Sequence, residues 1–189
     1  MKLAIPKESL AGERRVAIIP DVGAKLATAG IEVAVQAGAG VAAHFPDAAY
    51  TAKGLTVAPD RSTLFSGAAV VAKVQPPTLE EVGALDQGTS TVSFLAPAAN
   101  LDVIQALVVK EATAYSLELV PRISRAQSMD ALSSQATVSG YLAGLAAAER
   151  LPKFFPMFMT AAGTVPPAKV LVLGAGVAGL QAIATARRL

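Results

Sequence analysis

The 189 residues carry 53% hydrophobic and 16% charged side chains, one histidine, no cysteine and no tryptophan, with a mean hydropathy of +0.50. So much apolar surface excludes a disordered chain, and the missing cysteines exclude disulfides, thiolate metal sites and thiol nucleophiles together. A net charge of +2 is too weak to argue for nucleic acid as a partner, and His44 alone is a poor basis for a metal centre or a histidine relay.

Short apolar runs alternate with helical patterns from the first residue. Strands are predicted at residues 3–5, 32–36, 55–58, 69–74, 91–95, 112–116 and 170–173. Pro20 opens a helix over 21–29 and Gly30 closes it, the usual proline start and glycine stop. Thr78-Leu-Glu-Glu81 reads as a capping box for a helix ending before Gly88, and Asn100 as the cap of a helix over 101–111. Strands and helices in alternation imply an α/β domain with a mainly parallel sheet. The longest helical pattern follows at 128–150, then a Pro-punctuated stretch at 151–168, then a new strand. The organisation expected is an α/β subdomain at 1–127, a connecting helix and linker at 128–168, and the start of a second subdomain at 169–189. In fold class this is a Rossmann-like or flavodoxin-like parallel sheet, a long helix, and the first βα unit of another Rossmann domain.

The two longest uncharged runs, 131–148 and 170–186, are poor membrane spans, which need about 20 predominantly apolar residues. The first is serine- and threonine-bearing on one side, and the second holds three glycines. The first residues contain no apolar stretch of the kind found in a signal peptide. A soluble intracellular protein is expected, its apolar excess used in a sheet buried on both faces.

Two segments carry chemistry. In the first, an apolar strand leads into Gly174-Ala175-Gly176-Val177-Ala-Gly179 and then a helix. This is the G-x-G-x-x-G spacing that lets a pyrophosphate meet a helix N-terminus. Gly174 suits a tight turn, Gly176 a close backbone approach, and Gly179 close packing of helix on strand. The acidic residue that should follow about 20 positions on falls beyond Leu189. The 189 residues are therefore expected to be part of a longer protein.

The second segment, 121–135, is unusually polar and contains Arg122, Gln127, Asp130 and Ser133. With a helix starting near Ser124, Gln127, Asp130 and Ser134 share a face. A glutamine complements a nicotinamide carboxamide, an arginine reaches phosphate or carbonyl oxygen, and an aspartate balances a cationic ring. A solvated helix start with capping serines accounts for the same residues.

Arg122-Ile-Ser-Arg-Ala-Gln-Ser-Met-Asp-Ala-Leu-Ser-Ser, then Thr160-Ala-Ala-Gly-Thr-Val-Pro-Pro-Ala-Lys and Gly174-Ala-Gly-Val-Ala-Gly-Leu, closely resemble the NAD(H)-binding alpha component of proton-translocating NAD(P) transhydrogenases. Ile5-Pro-Lys-Glu, Gly12-Glu-Arg-Arg-Val-Ala and Val70-Val-Ala-Lys-Val-Gln are similar to the same family. The resemblance implies two Rossmann-like subdomains with NAD in the cleft between them. It puts Arg122, Gln127, Asp130 and Ser133 near the nicotinamide, and Gly174, Ala175, Gly176, Val177 and Gly179 near the pyrophosphate. It further implies a homodimer, a membrane-embedded proton-channel component and a separate NADP(H)-binding component. The chain would then be cytoplasmic, peripheral at the inner face of the membrane through those partners.

Alanine dehydrogenases share the architecture and resemble the chain at Arg15 and Lys73, which handle substrate carboxyl and carbonyl groups in those enzymes. They place a histidine where this chain has Ala96. Hydride exchange between nicotinamides needs orientation and water exclusion rather than a general acid or base, so no catalytic side chain is expected. Arg15 and Lys73 then read as scaffold or charge partners and His44 as a loop residue. A third possibility is a non-catalytic fragment, since the 189 residues alone are expected to be inactive and to bind NADH weakly or not at all.

Overall fold

A computed structural model describes all of residues 1–189, which divide into two compact units, Met1–Val120 and Pro121–Leu189. The first unit runs β1 (Lys2–Ile5), α1 (Pro20–Thr28), β2 (Glu32–Gln36), α2 (Asp47–Thr51), β3 (Thr56–Ala58), α3 (Arg61–Phe65), β4 (Val70–Ala72), α4 (Leu79–Gly83), β5 (Ser90–Ser93), α5 (Leu101–Val109) and β6 (Thr113–Ser116). The six strands form one sheet in the order β3-β2-β1-β4-β5-β6, every neighbouring pair parallel. This is the Rossmann strand order, which reverses direction between β1 and β4.

Alternation along the strands divides the core. Ala4, Ala34 and Val71 face a cluster containing Leu64, Phe65, Val82 and Leu107, supplied by α3, α4 and α5. Leu3, Ile5, Val33 and Val35 face a cluster with Tyr50 and Leu26, from α2 and α1. Side chains one residue apart point to opposite faces, so both faces of each central strand are apolar. The expected strands of this unit appear at their places, most of them a residue or two shorter.

Local chemistry differs from expectation at several points. α2 and α3 are five residues each, too short to give a periodic pattern. The Asp60 carboxylate caps α3 by accepting from Thr63 N at 2.8 Å. Asn100 occupies the N-cap position of α5 but makes no side-chain cap bond. Its Nδ2 instead donates to the Leu95 and Ala96 carbonyls at 3.0 and 3.2 Å.

In the second unit, 3₁₀ turns at Ser124–Met129 precede α6 (Ala131–Arg150), then β7 (Phe158–Thr160), β8 (Gly163–Val165) and α7 (Val177–Arg188). The long helix thus begins three residues later than its pattern suggested. The stretch expected to be linker holds an antiparallel hairpin, Phe158 pairing with Val165 and Thr160 with Gly163. The strand expected at 170–173 is absent. A strand requires a neighbour to take its backbone hydrogen bonds, and none lies beside it in this unit. No helix is long and apolar enough to cross a membrane.

The capping box at α4 is formed as expected and is tied to a buried ion pair. Thr78 Oγ1 accepts from Glu81 N at 3.1 Å, and Glu81 Oε2 accepts from Thr78 N at 2.8 Å. The same Oε2 accepts from Lys73 Nζ at 2.6 Å, both side chains being buried. Glu81→Ala strands the lysine and should cost about 3–5 kcal/mol of unfolding free energy. Thr78→Ala, which removes one exposed cap, should cost only about 1 kcal/mol. Replacing the pair together, Lys73→Met with Glu81→Leu, should recover most of the larger loss. Urea denaturation of the three variants measures all of these, and equal losses for the two single variants would refute the assignment.

Candidate functional site

The glycine turn that opens α7 is built as its spacing suggests. Gly174 has φ +108°, a conformation that side chains disfavour. A Cβ on Gly179 would lie 2.0 Å from the Gly174 carbonyl oxygen, so only glycine allows the helix this close to the incoming chain. A Cβ on Gly176 would meet nothing within 4 Å; it would fill open space beside the turn. The first intrahelical bond runs from Leu180 N to Gly176 O at 2.9 Å. The N–H groups before Leu180 have no acceptor within the helix, and no side chain caps them. An open cradle over unpaired donors at the positive end of a helix dipole fits a phosphate-bearing ligand.

A cavity of about 340 Å³ adjoins the turn, lined by Arg122, Ser133, Ala136, Gly174, Gly176 and Val177 among others. Arg122 and Ser133 therefore join the turn at one place, with Gly179 also in the wall. Ala175 lies in the turn outside that lining, and Gln127 is exposed within the 3₁₀ stretch. Asp130 is the N-cap of α6, accepting from Ser133 N at 2.8 Å and from Ser133 Oγ at 2.6 Å. These bonds, with Arg122 nearby, hold its carboxyl below the ordinary range. The expected single helical face from Gln127 through Asp130 to Ser134 does not form, because the backbone changes from 3₁₀ to α at Asp130. Ser133 has its proton committed to Asp130 and presents lone pairs to the cavity.

In the first unit, the reversal between β1 and β4 carries a separate polar cluster. Lys73, just past β4, is held by Glu81 and lies 3.7 Å from Glu8 Oε2. Glu8, in the β1–α1 loop, accepts from Val74 N at 2.6 Å and Gln75 N at 3.3 Å. Glu13, in the same loop, accepts from Arg15 Nη2 and from Gln75 Nε2, each at 2.6 Å. Arg15 and Lys73 are thus engaged by the chain's own carboxylates. The Arg15 guanidinium holds the Glu13 carboxyl at about 2, whereas burial pushes Glu8 above its ordinary value. Ala96 sits at φ +42°. Its N–H donates to Glu118, as does that of Leu95, and Asn100 takes its carbonyl. His44 is an exposed left-handed residue ending a 3₁₀ turn.

Strand order, helices on both faces and the glycine turn define a Rossmann-type α/β protein. Residues 4–139 match the alanine dehydrogenase/PNT N-terminal domain, and residues 143–189 match the alanine dehydrogenase/PNT C-terminal domain. The chain belongs to the alanine dehydrogenase/PNT family. All of it aligns, at 53% identity, with 50% of the first of the polypeptides that make up NAD(P) transhydrogenase subunit alpha in Rhodospirillum rubrum. At 34% identity, 96% of it aligns with 49% of alanine dehydrogenase from Halomonas elongata. Among solved structures, a transhydrogenase from Sinorhizobium meliloti superposes with a TM-score of 0.95 at 44% identity, covering 100% of this chain and 56% of that one. The chain spans about half the length of these relatives.

The polar cluster of the first unit has a pH signature with two opposite signs. Glu13 titrates lower in the folded chain than its ordinary 4.5. Its stabilisation is therefore complete above pH 4.5 and lost as pH falls toward about 2. Glu8 titrates higher than 4.5 when folded, so its ionisation lowers stability as pH rises from 4.5 through that raised value. Thermal unfolding followed across this range should show Glu13→Gln flattening the acid limb alone. Glu8→Gln should flatten only the fall above pH 4.5, and identical profiles for the two variants would contradict the assignment.

Proposed function

We propose that this chain is the NAD(H)-binding part of a proton-translocating NAD(P) transhydrogenase. One observation carries the reading: the polar segment and the glycine turn, remote in sequence, line one cavity within Pro121–Leu189. Similarity of the whole chain to proteins named as the alpha subunit of NAD(P) transhydrogenase supports it.

In this reading the N–H groups opening α7, beside Gly174, Ala175, Gly176, Val177 and Gly179, hold the pyrophosphate. Ser133, its proton given to Asp130, accepts from the carboxamide of the nicotinamide, and Gln127 and Arg122 approach the same end. Bound NAD(H) supplies the hydride chemistry, and NADP(H) on a separate component is the other reactant. The residues of this chain bind, orient and exclude water, and none serves as a general acid or base. A membrane-embedded proton-channel component completes the assembly, with this chain as a homodimer held peripherally at the cytoplasmic face.

An alanine-dehydrogenase-like activity is the second reading, motivated by Arg15 and Lys73 at the sheet reversal. Their engagement by Glu13, Glu8 and Glu81 weighs against a free carboxylate-binding pair.

A natural polypeptide containing this chain, added to membranes carrying the other two components, should restore hydride transfer from NADPH to an NAD⁺ analogue. Gly176→Ala should weaken NADH binding by about tenfold or more with an unchanged circular dichroism spectrum. Absence of transfer would sink the proposal, and NADH oxidation dependent on pyruvate and ammonia would favour the second reading.

A further inference from the structure

Glycine inside a helix costs about 1 kcal/mol relative to alanine, yet α6 holds Gly140 and Gly144, both buried. Leu132, Ala136, Gly140 and Gly144 are four apart and form one row along the helix. Leu132 and Ala136 line the cavity beside the glycine turn. Further along, the row meets α7. A Cβ on Gly140 would lie 2.1 Å from the Ala178 carbonyl oxygen and 2.9 Å from Gln181 Cβ. A Cβ on Gly144 would lie 2.8 Å from Thr185 Cγ2.

These contacts differ in kind. Thr185 Cγ2 is a side-chain methyl, and Thr185 Oγ1 is held within its own helix by the Gln181 carbonyl at 2.9 Å. The Ala178 carbonyl is backbone in the first turn of α7, between Gly176 and Gly179, and no rotamer change moves it. The two walls of the cavity are the first turns of α6 and of α7. Their separation is therefore set where the helices touch, at Gly140.

We propose that Gly140 is a positioning residue for the dinucleotide turn, acting through the backbone of Ala178 to set the distance between Ser133 and the N–H groups opening α7. Gly144 aligns the same helix pair through a contact that a side chain can relieve. The proposal rests on the dinucleotide reading of the turn, and its test separates the two.

The ¹⁵N-labelled chain is compared as Gly140→Ala, Gly144→Ala and Gly144→Ala with Thr185→Ser. Amide shifts of Gly174, Gly176, Ala178 and Gly179 are recorded without ligand and during titration with NADH into the millimolar range. Gly140→Ala is expected to displace those amides before any ligand is added and to weaken NADH binding about tenfold or more. Gly144→Ala should move them less, and Thr185→Ser should reverse that smaller shift. Turn amides unmoved in Gly140→Ala, or moved with unchanged NADH affinity, overturn the proposal. If Gly140→Ala does not fold, Gly144→Ala decides: unmoved amides there overturn it too, and a shift reversed by Thr185→Ser upholds it. If the unsubstituted chain binds no NADH, the dinucleotide reading fails by itself, and the ligand-free shifts still decide whether Gly140 sets the turn.

Discussion

A parallel strand satisfies its backbone only when strands lie beside it, and its side chains only when helices return over both faces. In Met1–Val120 the condition is met around β1, which pairs with β2 on one side and β4 on the other. The chain builds outward from that strand in two directions, so α1 and α2 cover one face and α3, α4 and α5 the other. The reversal that accomplishes this leaves the strand ends of β1 and β4 as neighbours with loops diverging from them. Residues 170–173 are the contrasting case. Within Pro121–Leu189 they have no neighbouring strand, and Leu171 and Leu173 are 83% and 89% exposed.

The reversal point is also where the first unit concentrates buried charge. Glu8 and Glu13 come from the β1–α1 loop, Lys73 and Gln75 from the segment after β4, and Glu81 from α4. A buried ion pair gains little over an apolar one but is expensive to break. The cluster therefore acts chiefly by penalising other arrangements of three segments that are otherwise irregular. That accounts for a lysine with no exposure to speak of in a unit of alternating apolar strands. It also explains how Ala96 keeps a left-handed backbone, since Glu118 and Asn100 fix its two neighbouring peptide groups.

Much of this was legible in the sequence because it depends on local signals. The six strands of the first sheet, the Thr78 capping box and the geometry of the Gly174–Gly179 turn each follow from a few adjacent residues. The rest depends on partners far away. An apolar run such as 170–173 reads as a strand whether or not anything lies beside it. Asn100 has the right chemistry for a cap, yet tertiary structure brings the Leu95 and Ala96 carbonyls within reach of its amide. Asp130 could be placed near the start of a helix, but its role as the cap required knowing that the α-helix begins at Ala131 rather than near Ser124. The hairpin at Phe158–Thr160 and Gly163–Val165 hid in a segment whose prolines suggested linker. Gly140 and Gly144 offered one signal, their cost inside a helix, without indicating which element approached them.

Four glycines of the second unit serve different physical ends. Gly174 supplies a backbone angle, Gly176 leaves space, and Gly179 and Gly140 let backbone approach backbone. The last two matter most for the proposed reading. Hydride transfer between two bound nicotinamides asks the protein for placement, and a misplacement of about 1 Å can cost two orders of magnitude in rate. Side-chain contacts adjust by changing rotamer, whereas a carbonyl within a helical turn moves only with the turn. A cradle whose position is set by Gly174 against Gly179 and by Gly140 against Ala178 is therefore stiff in the direction that such a reaction requires. This stiffness lets a site with few ionisable side chains meet the needs of a reaction whose chemistry resides in the cofactor.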